Sequence, residues 1–195
     1  MRPKAILFDM DGTITEPLLD FPRIKAEMGI GSRPILEALA AMRDEERARA
    51  EAVLLGHECD AASRSVLNRG CVELIEWIDV AQIRKALITR NSRASVEKVL
   101  AKHGLTFDVL VTREDGKYKP DPEPLLRACE RLRVRPDEAW MVGDGQYDVE
   151  AGLAAGVRTV WVGHGQARPF AAQPWRAVRD LVELTGVLKD CLIGQ

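Results

Sequence analysis

The chain is short of aromatic residues, cysteines and histidines, and it carries almost no net charge. Each shortage excludes something. The four cysteines stand at positions 59, 71, 129 and 191. None of them forms a CxxC pair, so neither a zinc knuckle nor a thioredoxin-like redox motif is encoded. Four reduced, mostly buried thiols are expected instead. Lys+Arg number 28 against 30 Asp+Glu. That leaves no basic excess to hold nucleic acid or an anionic membrane. No run approaches the roughly 18 apolar residues of a membrane span. The apolar stretch Ala5–Phe8 before the first aspartate is too short for a signal peptide. Repeats and low-complexity segments are also lacking. A soluble, cytoplasmic protein is expected, acting as a monomer or small homo-oligomer, with no nucleic-acid or membrane partner.

What is present suits a globular α/β chain. With 195 residues, 46% of them hydrophobic, a sizeable core can be buried. Short apolar runs ending at polar or glycine positions read as buried parallel strands: Ala5–Phe8, Ala86–Ile88, Val109–Val111, Ala139–Val142 and Thr159–Val162. Helical patterns separate them. Val72, Ile75 and Ile78 share one helical face, as do Val96, Val99 and Leu100 before Gly104. Pro122–Leu132 opens with proline, as a first helical turn can, and Val149–Ala155 ends at Gly156. This alternation predicts a Rossmann-like, doubly wound parallel sheet with helices on both faces.

Residues 16–69 break the alternation. No strand is legible there. Ile35, Leu36, Leu39 and Met42 make one helical stripe, and Asp44–Leu55 is rich in Ala, Glu and Arg, all strong helix formers. An all-helical cap inserted after the first strand is expected, placed over the ligand-binding end of the sheet. The core would comprise residues 1–15 and 70–195. The insertion holds eight basic and ten acidic residues, so it is no basic clamp.

Four chemical elements sit at strand ends or stiff turns. Asp9-Met10-Asp11-Gly12-Thr13 follows the first strand, and Gly12 lets the loop curl so that both carboxylates approach one site. Thr89 follows the apolar run Ala86–Ile88. Lys119 precedes Pro120, with Asp121 and Pro122 beyond, and the prolines stiffen the backbone beside the amine. Gly143-Asp144-Gly145-Gln146-Tyr147-Asp148 places two carboxylates at a helix start. Neither this glycine pair nor Gly163-His164-Gly165 has the third glycine of a dinucleotide fingerprint. Asn91, two residues after Thr89, suits either a phosphate contact or a helix N-cap.

In kind, order and placement, these elements resemble the haloacid dehalogenase-like hydrolase superfamily, in its phosphatase branch with a small helical cap. The resemblance implies Asp9 as nucleophile and Asp11 as general acid and base, with a raised pKa favoured by the neighbouring carboxylates. It implies Thr89 and Lys119 as stabilisers of the phosphoryl group. Gly12, Thr13, Arg90 and Asn91 would lie at the substrate. Magnesium would be held by Asp9, Asp144, Asp148 and the backbone carbonyl of Asp11, since hard oxygen donors without a His/Cys cluster suit that ion. Gly145 departs from the superfamily, which often has serine there, but removes no ligand. An acid at Asp11 favours a phosphatase or phosphomutase over a dehalogenase, because a leaving alkoxide needs a proton and a halide does not. The expected activity is magnesium-dependent hydrolysis of small phosphate monoesters through an aspartyl-phosphate. A sugar phosphomutase and a non-catalytic phosphate sensor are the alternatives. Substrate selection would fall to the cap, where Arg23, Lys25, Arg33, Arg47, Arg64 and Arg69 are candidates. His57, His103 and His164 read as structural or surface residues, Arg131, Arg133 and Arg135 as a solvated face, and Trp77, Trp140 and Trp161 as core.

Overall fold

A computed structural model of the chain describes residues 2–193. Strand β1 (Ala5–Phe8) is followed by three helices, α1 (Phe21–Glu27), α2 (Ile35–Ala40) and α3 (Asp44–Arg64). Regular alternation then resumes with α4 (Cys71–Val80), β2 (Arg84–Ile88), α5 (Arg93–His103), β3 (Val109–Val111), α6 (Glu123–Leu132), β4 (Ala139–Gly143), α7 (Gln146–Ala155), β5 (Arg158–Val162), β6 (Arg176–Val178) and α8 (Leu181–Ile193).

The sheet is parallel throughout, in the order β3-β2-β1-β4-β5-β6. The chain winds outward from β1 to β3, returns to β4 beside β1, and winds outward again. A crevice therefore opens where the carboxyl ends of β1 and β4 diverge into different loops. All five expected strands are present. The sixth, β6, was not anticipated: Arg176-Ala177-Val178 is no apolar run, and only Val178 is buried, as suits an edge strand. Helix α7 begins three residues earlier than its apolar pattern suggests, because Gly145 ends the loop and Asp148 caps the first turn by accepting from the Gly145 amide at 3.0 Å.

Alternation along the strands divides the core between the two faces. Ile6, Phe8, Trp140 and Val142 point to one face, against Leu74 and Ile78 of α4, Val96 and Val99 of α5, and Leu184 and Leu188 of α8. Ala5, Leu7, Ala86 and Met141 point to the other, against Leu125, Ala128 and Leu132 of α6 and Ala151 and Ala155 of α7. Small residues on this second face let α6 and α7 approach the sheet closely. Trp140 and Trp161 are buried as expected, and Trp77 packs at the core's edge.

The three helices after β1 have an apolar cluster of their own, built from Ile24, Met28, Leu36, Leu39, Ala50 and Leu54. Helix α3 belongs to both parts. Its first half supplies Ala50 and Leu54 to this cluster, while Ala62 joins the main core. Lys98 and Lys102 of α5 donate to the Cys59, Ser63 and Ser65 carbonyls at the end of α3. Among the described residues, no helix is long and apolar enough to cross a membrane.

Candidate active site

The sheet register brings the motif residues together. Asp9 leaves β1 with its amide donating to the Val142 carbonyl of β4 at 2.9 Å. Thr89 leaves β2 with its amide on the Val111 carbonyl of β3 at 3.0 Å. Asp144 leaves β4 directly after Gly143. Lys119 reaches in from the loop before α6. Asp9, Asp11, Thr89, Arg90, Asn91, Lys119, Asp144 and Asp148 all line one cavity of about 570 Å³. Gly12 and Thr13 do not line it; Gly12 abuts the Asp144 carboxylate, and Thr13 Oγ1 lies 3.5 Å from Asp144 Oδ1.

Lys119 is 2% exposed and donates to Asp9 and Asp148, at 2.6 Å each. Burial works against its charge, but Asp148 and Asp9 outweigh that and hold its pKa above the ordinary lysine value. The acids face the opposite balance, since several carboxylates share one ammonium. Burial pushes Asp9 up to about 7; Lys119 opposes the rise, and Asp148 and Asp144 add to it. Burial, then Asp148, raises Asp144 to about 7 as well. Asp11 also rises to about 7. There the physical cause differs from expectation: loss of solvent is the larger effect, and the Asp9 charge comes second.

Second-layer contacts fix these groups. The Asn91 amide nitrogen Nδ2 donates to Asp11 Oδ2 at 2.6 Å. Ser92, not Asn91, caps α5 by accepting from the Ser95 amide, which settles the N-cap alternative against Asn91. The Asn91 backbone amide donates to Thr89 Oγ1 at 3.1 Å, so the Thr89 hydroxyl hydrogen stays free to point into the cavity. Gly12 has φ +79°, and a Cβ there would overlap the Asp144 carboxylate. Trp161 Nε1 donates to the Asp144 carbonyl at 2.7 Å. His164 is an exposed residue, as expected, yet its Nε2 lies 2.6 Å from the Gly12 carbonyl. A carbonyl only accepts, so Nε2 carries the proton.

Other cavity residues come from the helices after β1. Glu58 of α3 is 2% exposed, paired with Arg113, and accepts from the Ser92 amide at 3.1 Å. Burial raises its pKa against the pull of Arg113. Its signal in the sequence was faint: Leu54, Glu58, Ala61 and Ala62 share one helical face, where an acid is out of place. The expected cationic candidates divide sharply. Arg23, Arg47 and Arg64 are paired with Glu27, Glu51 and Asp60 on their own helices, and Arg69 lies 3.9 Å from Asp180. Arg33 donates to the Ile30 carbonyl. Only Lys25 of the six lines the cavity. Arg90 lines it too, but its guanidinium is engaged by Glu37 and the Lys119 carbonyl and lies over the Tyr118 and Tyr147 rings.

Asp9, Asp144 and Asp148 can each offer an oxygen such that the three lie within 4.8 Å of one another. Three carboxylates against one ammonium leave surplus negative charge, which adds to burial in raising the pKa values of Asp9 and Asp144. Oxygen-only donors of this kind fit a hard divalent cation. The Asp11 side chain stands apart, held by Asn91.

Known proteins are similar to this chain in sequence and in fold. The profile of the family described as haloacid dehalogenase-like hydrolase matches residues 3–156. A haloacid dehalogenase-like hydrolase domain-containing protein of Arabidopsis thaliana is 31% identical, over 81% of this chain and 70% of its own length. An N-acetylmuramic acid 6-phosphate phosphatase of Pseudomonas putida is 32% identical over the full length of both chains. The crystal structure of a hydrolase from Pseudomonas syringae superposes with a TM-score of 0.80 at 22% identity, over 95% of this chain and 98% of that one. With its parallel sheet, its acidic crevice and a profile match across most of its length, the chain belongs to the haloacid dehalogenase-like hydrolases.

Proposed function

We propose that the protein is a magnesium-dependent phosphatase of small phosphate monoesters, with residues 1–15 and 70–195 as the catalytic core and 16–69 as a helical cap. The observation that carries this reading is the position of Lys119, 2.6 Å from both Asp9 and Asp148 in a buried acidic crevice. A phosphate monoester brings about two negative charges, and a carboxylate attacking it needs that charge offset. Asp9, Asp144 and Asp148 would hold magnesium, which would supply positive charge to offset this repulsion. Asp9 attacks phosphorus, the ester P–O bond breaks, and Asp11 gives its proton to the leaving oxygen. Burial of Asp11, which keeps its proton available near neutral pH, supports this role. Asp11 then takes a proton from the water that cleaves the aspartyl-phosphate, returning Asp9 and releasing inorganic phosphate. Thr89 donates its free hydroxyl hydrogen to a phosphoryl oxygen, and Lys119 offsets charge on Asp9 and phosphate together. Arg90 and Asn91 act at one remove, Arg90 through the Lys119 carbonyl and Asn91 through Asp11.

Phosphate release from p-nitrophenyl phosphate and a panel of phosphorylated metabolites, with magnesium and with chelator, tests the reading. Asp9→Asn is expected to lower turnover by about 10⁴-fold or more. Wild-type turnover in that variant overturns it. Migration of phosphate between sugar carbons faster than its release would identify a phosphomutase instead.

A further inference from the structure

The reacting groups of the cavity are crowded with charge, whereas of the lining residues on α1, α2 and α3 only Lys25 and Glu58 are charged. The cavity walls there are apolar, from Leu19, Ile35, Leu36 and Leu54, with the ring of Phe21 half exposed. Two features of α1 converge on this space. Phe21 and Lys25 are four residues apart, so the helix carries an aromatic ring and an ammonium on one face. Both line the cavity. The other cations at the cavity are committed: Lys119 to Asp9 and Asp148, and Arg90 to Glu37. Glu58 is occupied by Arg113 and the Ser92 amide. Lys25 makes only a 3.5 Å approach to the Ser32 carbonyl and no ion pair among the described residues.

We infer that the leaving group of the substrate has an apolar, ring-like body bearing a single carboxylate, the body packing on Phe21 and the carboxylate meeting Lys25. The inference rests on the phosphatase reading and names its substrate class. A hydroxyl-rich sugar would strand its hydrogen-bonding groups against the apolar walls. A second phosphate would bring about two charges and three acceptor oxygens to one ammonium, whereas a carboxylate matches it in charge. The exposed Phe21 ring has a reason in this scheme, since it loses its water when the substrate enters.

Matched aryl esters test it: 4-carboxyphenyl phosphate against phenyl phosphate, with glycerol 3-phosphate and ribose 5-phosphate as polar comparators. The wild-type protein is expected to prefer the carboxylated ester by about tenfold in kcat/KM, the worth of one good partly desolvated charge pair. Lys25→Met should collapse that ratio and Lys25→Arg should restore it. Phe21→Ala should narrow the preference for aryl over polar esters. A general loss of folding or chemistry lowers all substrates together and leaves the ratios unmoved. No wild-type preference for the carboxylated ester, or a ratio unchanged in Lys25→Met, overturns the inference. Calorimetric binding of 4-carboxyphenylphosphonate against phenylphosphonate separates the two readings. Selective, Lys25-dependent binding without turnover of any ester supports the pocket assignment and rejects the phosphatase, and turnover without selectivity does the reverse.

Discussion

Arg90 reaches across from the end of β2 to Glu37 on α2, its Nη2 lying 2.9 and 3.0 Å from the two carboxylate oxygens. The guanidinium sits 4.8 Å from the Tyr118 ring centre and 4.5 Å from that of Tyr147. It also donates to the Lys119 carbonyl. One side chain thus ties the loop of the buried lysine to a helix that lines the cavity.

That arrangement separates two substitutions. Glu37 is 40% exposed, so Glu37→Gln should cost no more than about 1 kcal/mol of stability. Arg90→Ala also removes the donor to Lys119 and a cation between two rings, each ring worth about 0.5–1 kcal/mol where partly exposed. It should cost more in urea unfolding and lower kcat through the displaced Lys119 loop. Equal losses in the two variants would show that the ion pair carries the whole effect.

Asp11→Asn removes a transferable proton and keeps the shape and the Asn91 neighbourhood. Turnover should fall by about 10²–10⁴-fold. Phosphorylation of Asp9 should slow less for esters with acidic leaving groups such as p-nitrophenol, which depart without protonation, whereas turnover, limited by discharge of the common aspartyl-phosphate, should fall alike for all. Rapid-quench detection of phosphoprotein checks this, because Asp9 should still be phosphorylated and then fail to discharge. An equal fall in the phosphorylation rate for all leaving groups would remove Asp11 from the protonation step.

Asp9, Asp11 and Asp144 rise from 3.8 to about 7 on folding in the absence of cation. Between those values the native state binds more protons than the unfolded chain, so stability falls as pH rises across that interval. The contribution is fully present below about pH 4 and lost above about pH 7. In chelator, Tm is therefore expected to drop between pH 5 and pH 8. Magnesium should raise Tm more at pH 8 than at pH 5, because it binds the ionised carboxylates. A flat Tm in chelator over this range would contradict the crowding of uncompensated acids.

Gly12→Ala places a methyl group where the Asp144 carboxylate lies, at a φ of +79° that alanine adopts only with strain. Backbone strain of about 1–2 kcal/mol is expected, together with a larger fall in magnesium affinity as Asp144 is pushed aside. Isothermal titration measures the second effect separately from thermal unfolding.

The sheet and the reacting groups were legible because their signals are local. A buried parallel strand is a short apolar run, and a functional side chain at its end follows directly in the chain, as Asp9 follows Phe8 and Thr89 follows Ile88. Edge strand β6 lacks that run, since only one of its three residues is buried, and so carries no such signal. Some of the segment of residues 16–69 was also within reach. Three of its six candidate cations, Arg23, Arg47 and Arg64, stand four residues from an acid and pair with it on the same helix. The other facts needed distant segments to meet. Glu58 is buried because Arg113, fifty-five positions away, neutralises it. Trp161 and His164 hold the Asp144 and Gly12 loops only because β5 runs two strands from β1. Asp11 loses its solvent to the whole surround, and that raises its proton affinity more than the charge of Asp9, its neighbour in the motif. Pattern along the chain decides which residues alternate between water and core, while desolvation and partnership depend on what the folded chain sets beside them.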